Sequence, residues 1–469
     1  MNRPLTSPGT TTADRRQHNG QTVFISGGPI MAENHPTREL AQYNIPVWPS
    51  AIIQVTLLLP YAFPNFPSLL SNMAHKTILS VNAGSSSVKI TFYTLENPPK
   101  AIVNAQISGI TAPPLKLKYT RGSEEHKEEV KDRLSTPQDA FKFLLQRCFS
   151  DPELSEVTSP EDLAYICHRV VHGGDYNESV VITNDTYHRL EELENLAPLH
   201  NYSALEIIRT CKQEIPNVKS VTFFDSAFHQ TMPEHVKTYP IDQGIAKANG
   251  LRKYGFHGIS YSFILRSVAE FLKKPVEETN IIAMHLGSGA SMCAIRNGKS
   301  VDTTWKSKPR EHKRDAYQQG GSFLSQPSRT KLMLIAIQAE EILNKQSGWK
   351  ALTGTTDFSK IAVENPPSHA HKLAFDIVVD RILGFVGNYF VKLDGQVDAI
   401  VFAGGIGEKS ALLRKVLVEK ARCLRVAVDT AANETGPAED QTVLDISKEA
   451  GKGPRVLVCK PSSLDLMFE

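Results

Sequence analysis

Three short runs of small residues stand out as places where a backbone can close on an anion: AGSSS at residues 83–87, GSGAS at 287–291 and AGGIG at 403–407. Each comes after an apolar run: TILSVN at 77–82, IIAMHL at 281–286 and VDAIVF at 397–402. A turn without side-chain bulk leaves its N–H groups and short hydroxyls facing outward, which is the chemistry of a phosphate cradle. The third run continues into EKSALLRKVLV at 408–418, an amphipathic helix whose first turn offers free N–H groups and the positive end of the helix dipole. Gly404, Gly405 and Gly407 let a flat nucleotide approach the backbone there. The spacing is not GxGxxG, and no GxxxxGK[ST] occurs, so the dinucleotide fold and the P-loop fold are both disfavoured. Tight hairpins need small residues for their own geometry, so each of the first two turns taken alone reads as structure first.

The elements around these turns repeat. VKITFY at 88–93 alternates apolar and polar residues and pairs naturally with TILSVN as a β-hairpin. A related arrangement recurs at 280–302, where IIAMHL, GSGAS and SMCAIR lead to an Asn297-Gly298 turn. The chain therefore reads as internally duplicated, with two small-residue turns facing one polyphosphate from opposite lobes. At 469 residues it is also too long for one hydrophobic core. Lys and Arg number 52 against 50 Asp and Glu, with no long block of either sign, so the expected partner is a small molecule rather than nucleic acid or a membrane. The six cysteines form no CxxC pair, which fits reduced thiols and a cytoplasmic protein.

Residues 1–72 differ in character from the rest of the chain. The apolar stretch 51–70 is interrupted by Pro60, Pro64 and Pro67, which break the helix that lipid demands. It lies too far from the start for a secretory signal, and Asp14, Glu33 and Glu39 speak against a transit peptide. The expectation is a disordered extension, with Met73 as the biological start after an over-extended gene model.

Seven motifs in order then carry a resemblance: VNAGSSSVK (81–89), HRVVHGG (168–174), LAPLHN (196–201), FDSAFHQTMP (224–233), YGFHGIS (254–260), HLGSGAS (285–291) and FAGGIGE (402–408). Together they resemble the acetate kinase family, fungal type, of the actin, sugar kinase and heat-shock ATPase superfamily. The resemblance implies an α/β, duplicated two-lobed actin-like ATPase fold with the ATP cleft between lobes. The N-terminal lobe would span 76–224 and the C-terminal lobe 225–459, with 460–469 packing back on the first. It implies reversible phosphoryl transfer between ATP and acetate, giving acetyl phosphate and ADP, with Mg2+ as cofactor, a homodimer, and a pathway link to phosphoketolase.

The same resemblance assigns roles residue by residue. Arg169 would hold the substrate carboxylate and the moving phosphoryl group, and a planar guanidinium suits both. His257 would donate to the phosphoryl group, and Asp225 would orient acetate or the magnesium-bound phosphate. His200 would line the substrate site, and Val171, Leu199 and Phe256 would form a small pocket for the acetate methyl. Asn82 would stand on the magnesium side, with Ser85, Ser87 and Lys89 in the first phosphate turn. His285, Gly287, Ser288 and Gly289 match the second turn, Asp357 and Phe358 an adenosine-side loop, and Gly404, Gly405 and Gly407 the third turn.

Some stretches depart from the pattern. Where the family continues past Val301-Asp302-Thr303 to a TRSG motif with a second arginine, residues 304–338 share nothing with it, as a local frameshift or mis-assigned intron would produce. Nothing licenses Arg310, Arg314 or Arg329 to take that arginine's role. The chain also ends at PSSLDLMFE (461–469), where relatives carry an acidic residue on the magnesium side. Ser288 and Lys409 replace residues that are commonly Asn, and Ser359 one that is often Arg. These departures leave two other readings open: a nucleotide-binding pseudoenzyme, and a propionate or butyrate kinase.

Overall fold

A computed structural model describes residues 76–84, 86–96, 99–111, 113–194, 198–287, 289–304, 347–438, 441–448 and 453–460, without the side chains of 194 and 198–200. The expectations for residues 1–72, 305–338 and 461–469, and for Ser85 and Ser288, lie outside the described residues.

The first sheet begins with a meander: β1 (Thr77–Ala83), β2 (Ser87–Thr94), β3 (Ala101–Ser108), β4 (Lys116–Arg121) and β5 (Glu124–Glu129). It continues with β6 (Leu163–Val170), β7 (Val180–Val181) and β8 (Lys219–Phe224), in the order β5-β4-β3-β2-β1-β6-β8-β7. β6 lies parallel to β1, and β8 parallel to β6. The second sheet contains β9 (Ile281–Leu286), β10 (Ala290–Arg296), β11 (Lys299–Thr303), β12 (Ala399–Ala403), β13 (Val443–Asp445) and β14 (Arg455–Cys459), ordered β11-β10-β9-β12-β14-β13. Here too an antiparallel trio is joined by two parallel strands, so β3-β2-β1-β6-β8 and β11-β10-β9-β12-β14 are one topology used twice. The duplication read from the two hairpins is thus a duplication of whole sheets.

Period-two alternation decides which face each helix covers. In β9, Ile281 and Ala283 face a core with Tyr261, Ile264 and Val268 of α4 (Gly258–Leu272). Ile282 and Met284 face the other side, against Val378 and Ile382 of α5 (His369–Lys392). In the first sheet Leu79 and Val81 pack with Phe141 of α1 (Pro137–Phe149) and Ile207 of α3 (Pro198–Glu214), while α2 (Asn184–Glu194) packs beside α3. Sequence signals start α1 cleanly: Pro137 opens it, and Thr136 and Asp139 form a reciprocal capping box.

Of two local expectations, one holds and one shifts. Asn297 and Gly298 both take positive φ, 51° and 72°, as a type I′ hairpin turn requires. The AGGIG run, by contrast, is not an open turn leading into one helix. It forms α6 (Gly404–Lys409), and after a break at Ser410 comes α7 (Ala411–Lys420). The break has a physical cause: the Ser410 hydroxyl caps Leu413 N, and Arg414 donates to the carbonyls of Gly407 and Glu408 at 2.8 and 2.7 Å.

Candidate active site

Three parallel strands, β1, β6 and β8, end on the same edge of the first sheet, where open α/β sheets take ligands. Asn82 lies near the end of β1, Arg169 is the penultimate residue of β6, and Asp225 comes directly after β8, its N–H donating to Val170 O at 3.1 Å. Arg169 Nε and Nη2 donate to the two Asp225 carboxylate oxygens at 3.2 and 2.6 Å, and Nη1 donates to Asn82 Oδ1 at 3.2 Å. The Asp225 side chain is 2% exposed and that of Arg169 29%. Burial works against the guanidinium's charge, but the adjacent carboxylate outweighs it and raises the arginine's pKa. Arg169 is therefore a fixed cation that keeps N–H groups to spare for a ligand, since a guanidinium carries five and these three bonds use three. Lys89 sits opposite Asn82 in the β1–β2 register, and Ser87 begins β2, its carbonyl accepting from Gly84 N at 2.8 Å.

The second half of the site is the start of α4. His257 is its N-cap residue and adopts the left-handed conformation, φ 59° and ψ 22°. Its neighbour Gly258 donates to Asp225 O at 2.8 Å, so the two halves are pinned together. A Cβ on Gly258 would lie 2.3 Å from that oxygen, which makes glycine obligatory. His257 Nδ1 meets Ser291 Oγ at 2.7 Å, and Tyr261 OH meets the same oxygen at 2.6 Å. The rings of His257 and His285 lie 4.3 Å apart, with His285 Nδ1 2.8 Å from Ser260 Oγ. Burial, then the nearby Arg169, lowers the His285 pKa to about 4, so it is neutral near pH 7.

Phe256 is fully buried, with its ring 5.6 Å from that of His172, which in turn lies 4.4 Å from Tyr254. Val171 comes directly after β6 and is half-buried. Leu199 and His200 occupy the first turn of α3. The next residue, Asn201, holds that turn to the HGG segment: its Oδ1 accepts from His172 N at 3.0 Å and its Nδ2 donates to His172 O at 2.9 Å. The structure thus brings Asn82, Arg169, Asp225, His257 and His285 together.

In the second sheet, Gly287 donates to Gly289 O at 3.1 Å to close the second turn. Gly404 takes φ +76° with its Cα so near β9 that a Cβ would lie 2.8 Å from Leu286 O. Gly405 faces open space, and Gly407 packs on Phe402. Phe358 is buried and its ring lies 4.8 Å from Trp349. With Leu286, Met292 and Ile406 these rings line an apolar cavity beside Ser291. Asp357 faces solvent and caps its own turn, accepting from Ser359 N and Oγ, bonds that lower its pKa.

Among the described residues no group of three or more His, Cys, Asp or Glu is gathered to hold a metal ion. The oxygens of Asn82 and Asp225 do suit a hard cation that arrives with phosphates and keeps several waters, as Mg2+ does. Sequence reasoning passed over Ser291, Tyr261, Asn201, His229 and Arg414. Of these, His229 carried a signal, lying four residues after Asp225 in one motif.

Two sheets of one topology, with a guanidinium fixed at the strand ends of the first and glycine turns at the strand ends of the second, give the duplicated architecture of a small-carboxylate kinase. Residues 77–459 match the model of the acetokinase family. A protein of Emericella nidulans described as a probable acetate kinase is 61% identical over 401 residues, 83% of this chain and 95% of that one. One of Neurospora crassa with the same description is 49% identical over 442 residues, 85% and 94% of the two chains. Among solved structures, the acetate kinase of Porphyromonas gingivalis superposes with a TM-score of 0.70 at 30% identity, covering 84% of this chain and 98% of its own. A propionate kinase from Francisella tularensis gives 0.71 at 28%, with the same coverage. This chain belongs to the acetokinase family.

Proposed function

We propose that the chain is an acetate kinase, transferring the γ-phosphoryl group of ATP in line to acetate, reversibly. The observation that carries this is the Arg169 guanidinium, fixed by Asp225 and Asn82 at the ends of three parallel strands, with His257 adjoining the Gly258 N–H that donates to Asp225 O. A carboxylate oxygen attacks phosphorus, the bond to the β-phosphate oxygen breaks, and no proton moves, because acetate is already ionised near neutral pH. No general base is needed. Asp225 accordingly serves as the acceptor that aims Arg169, whose remaining N–H groups bridge acetate and the equatorial phosphoryl oxygens. His257 adds a donor to the same oxygens.

Val171, Leu199 and Phe256 are read as the walls of the methyl pocket. One more methylene changes discrimination by only ~1–3 kcal/mol, so propionate is read as a slower second substrate, in keeping with the propionate kinase of similar fold. Ser85, Ser87, Lys89, Gly287, Ser288 and Gly289 are assigned to the phosphates, and Gly404, Gly405, Gly407, Asp357 and Phe358 to the nucleoside. Mg2+ bound with the nucleotide would be held through water by Asn82 and Asp225, and supplies charge neutralisation between the phosphates. We further read the enzyme as a cytoplasmic homodimer joined through its C-terminal lobe, linked to a phosphoketolase that makes acetyl phosphate. Among the described residues no helix is long and apolar enough to cross a membrane.

The test is acyl hydroxamate formation from ATP and acetate, beside Arg169→Ala and a propionate series. Turnover that falls at least ~10³-fold in Arg169→Ala supports the reading, since positioned charge is the main catalytic device here. Absence of turnover in the unmodified chain with ATP still bound would make it a pseudoenzyme.

A further inference from the structure

We infer that His229 is a positioning residue, holding the left-handed backbone of His257 at the transfer site through the carbonyl of Phe256. The inference rests on His257 acting at the phosphoryl group. His229 is fully buried and lies in a short 3-10 turn, Ala227–Thr231, one turn beyond Asp225. Its Nε2 is 2.9 Å from Phe256 O and its Nδ1 is 2.8 Å from Ser300 Oγ on β11. A carbonyl only accepts, so Nε2 carries the proton and donates to Phe256 O, and the Ser300 hydroxyl donates to Nδ1. Both ring nitrogens are engaged, and the ring cannot reach a ligand.

Phe256 O belongs to the peptide that enters His257, and Gly258 N to the peptide that leaves it. The first is held by the His229 ring, the second by Asp225 O at 2.8 Å. Both anchors come from one motif, FDSAFHQ at 224–230. A non-glycine residue with φ 59° persists when its surroundings over-determine it, and two anchored flanking peptides do that. The fit between ring and loop is close: a Cβ on Gly255, φ +89°, would lie 2.6 Å from His229 Cγ. Further back, Lys253 Nζ meets the buried Asp302 Oδ1 at 2.5 Å, and Lys392 pairs with the other Asp302 oxygen, tying the loop to β11 and α5. His229 and Asp302 thus brace the 253–258 loop against β11, at Ser300 and at the strand itself.

The experiment is a double-mutant cycle between His229 and His257, read in the full chain with ATP and acetate. His229→Ala is expected to lower kcat about 100-fold, as a misplacement of ~1 Å can, with both KM values within about threefold. His229→Gln, whose amide N–H can still donate to Phe256 O, should recover at least about tenfold. His229→Ala combined with His257→Ala should be no slower than His257→Ala alone. Additive losses, equal loss in the Ala and Gln variants, or unchanged kcat in His229→Ala would overturn the inference. If His229→Ala fails to fold, Ser300→Ala keeps the ring and removes only the donor to Nδ1; a fall in kcat of about three- to tenfold is then expected, and none would overturn it. A chain without turnover would refute the functional reading and not this one. The histidine NMR titration of His257 then decides: a midpoint moved by about half a pH unit in His229→Gln or Ser300→Ala supports the role, and an unmoved midpoint refutes it.

Discussion

A guanidinium whose Nε and one Nη are spent on a single carboxylate can rotate about nothing, and the Arg169–Asp225 fork uses that geometry to turn a flexible side chain into a fixed cation. Asp225→Asn keeps the size but puts an amide N–H against the fork. It should lower kcat/KM by at least ~10²-fold and cost about 2–3 kcal/mol of stability, because a partner is lost from a pair whose acid is 2% exposed. Steady-state kinetics beside urea unfolding check both, and a change in KM for acetate alone would count against it. Arg169, Asp225 and Asn82 were singled out by the motifs that carry the resemblance, and in the fold they stand at or beside the ends of three parallel strands. The contacts of His229 and Ser291 were not legible, although both residues lie in quoted motifs, since their hydrogen bonds join segments 27 and 34 residues apart that only the folded chain brings together.

The three glycine turns differ at the level of the element. Gly404 lies between β12 and the backbone of Leu286, and its φ of +76° is open to few residues besides glycine. Gly404→Ala should therefore weaken both fold and ATP binding, as the strand cannot yield to a Cβ 2.8 Å from its carbonyl. Gly405, one residue on and within α6, has no heavy atom near its Cβ direction. Gly405→Ala should leave stability level or raise it by up to ~1 kcal/mol, yet weaken ATP binding at least tenfold by filling the approach to the backbone. Calorimetric titration with ATP beside thermal melting separates the two, and normal ATP binding by Gly405→Ala would remove the third turn from the nucleotide site. Hydrophobic periodicity placed β12 but started the helical region at Glu408, four residues after its actual start at Gly404. It did not reveal the break at Ser410, because that break depends on Arg414, whose guanidinium is bound by the carbonyls of Gly407 and Glu408 and by Asn433 Oδ1.

At the scale of the whole molecule, duplication places histidines in the interior of both sheets and of the segment between them. His168 on β6, His172 after it, His229 and His285 on β9 are all driven below the ordinary imidazole value, chiefly by burial, to about 3 for His168 and about 4 for the others. Each is neutral when folded at pH 7, but in the unfolded chain each takes up a proton near pH 6.5. Below that pH the unfolded state binds more protons than the folded one, so stability rises with pH across the window from about 4 to 6.5 and is level above it. A lowered pKa of this kind contributes stability that is complete above the unfolded value and lost as pH falls toward the folded one. Each histidine accounts for up to ~1.4 kcal/mol per pH unit within the window, so four acting together exceed what a loss of surface ion pairs would produce. The urea midpoint should accordingly hold steady from pH 8 to 7 and fall steeply from 6.5 to 5, in high salt as well as low, because buried groups are little screened. A midpoint level down to pH 5 would mean that these rings titrate alike in both states, and hence that they are not enclosed as the two sheets enclose them.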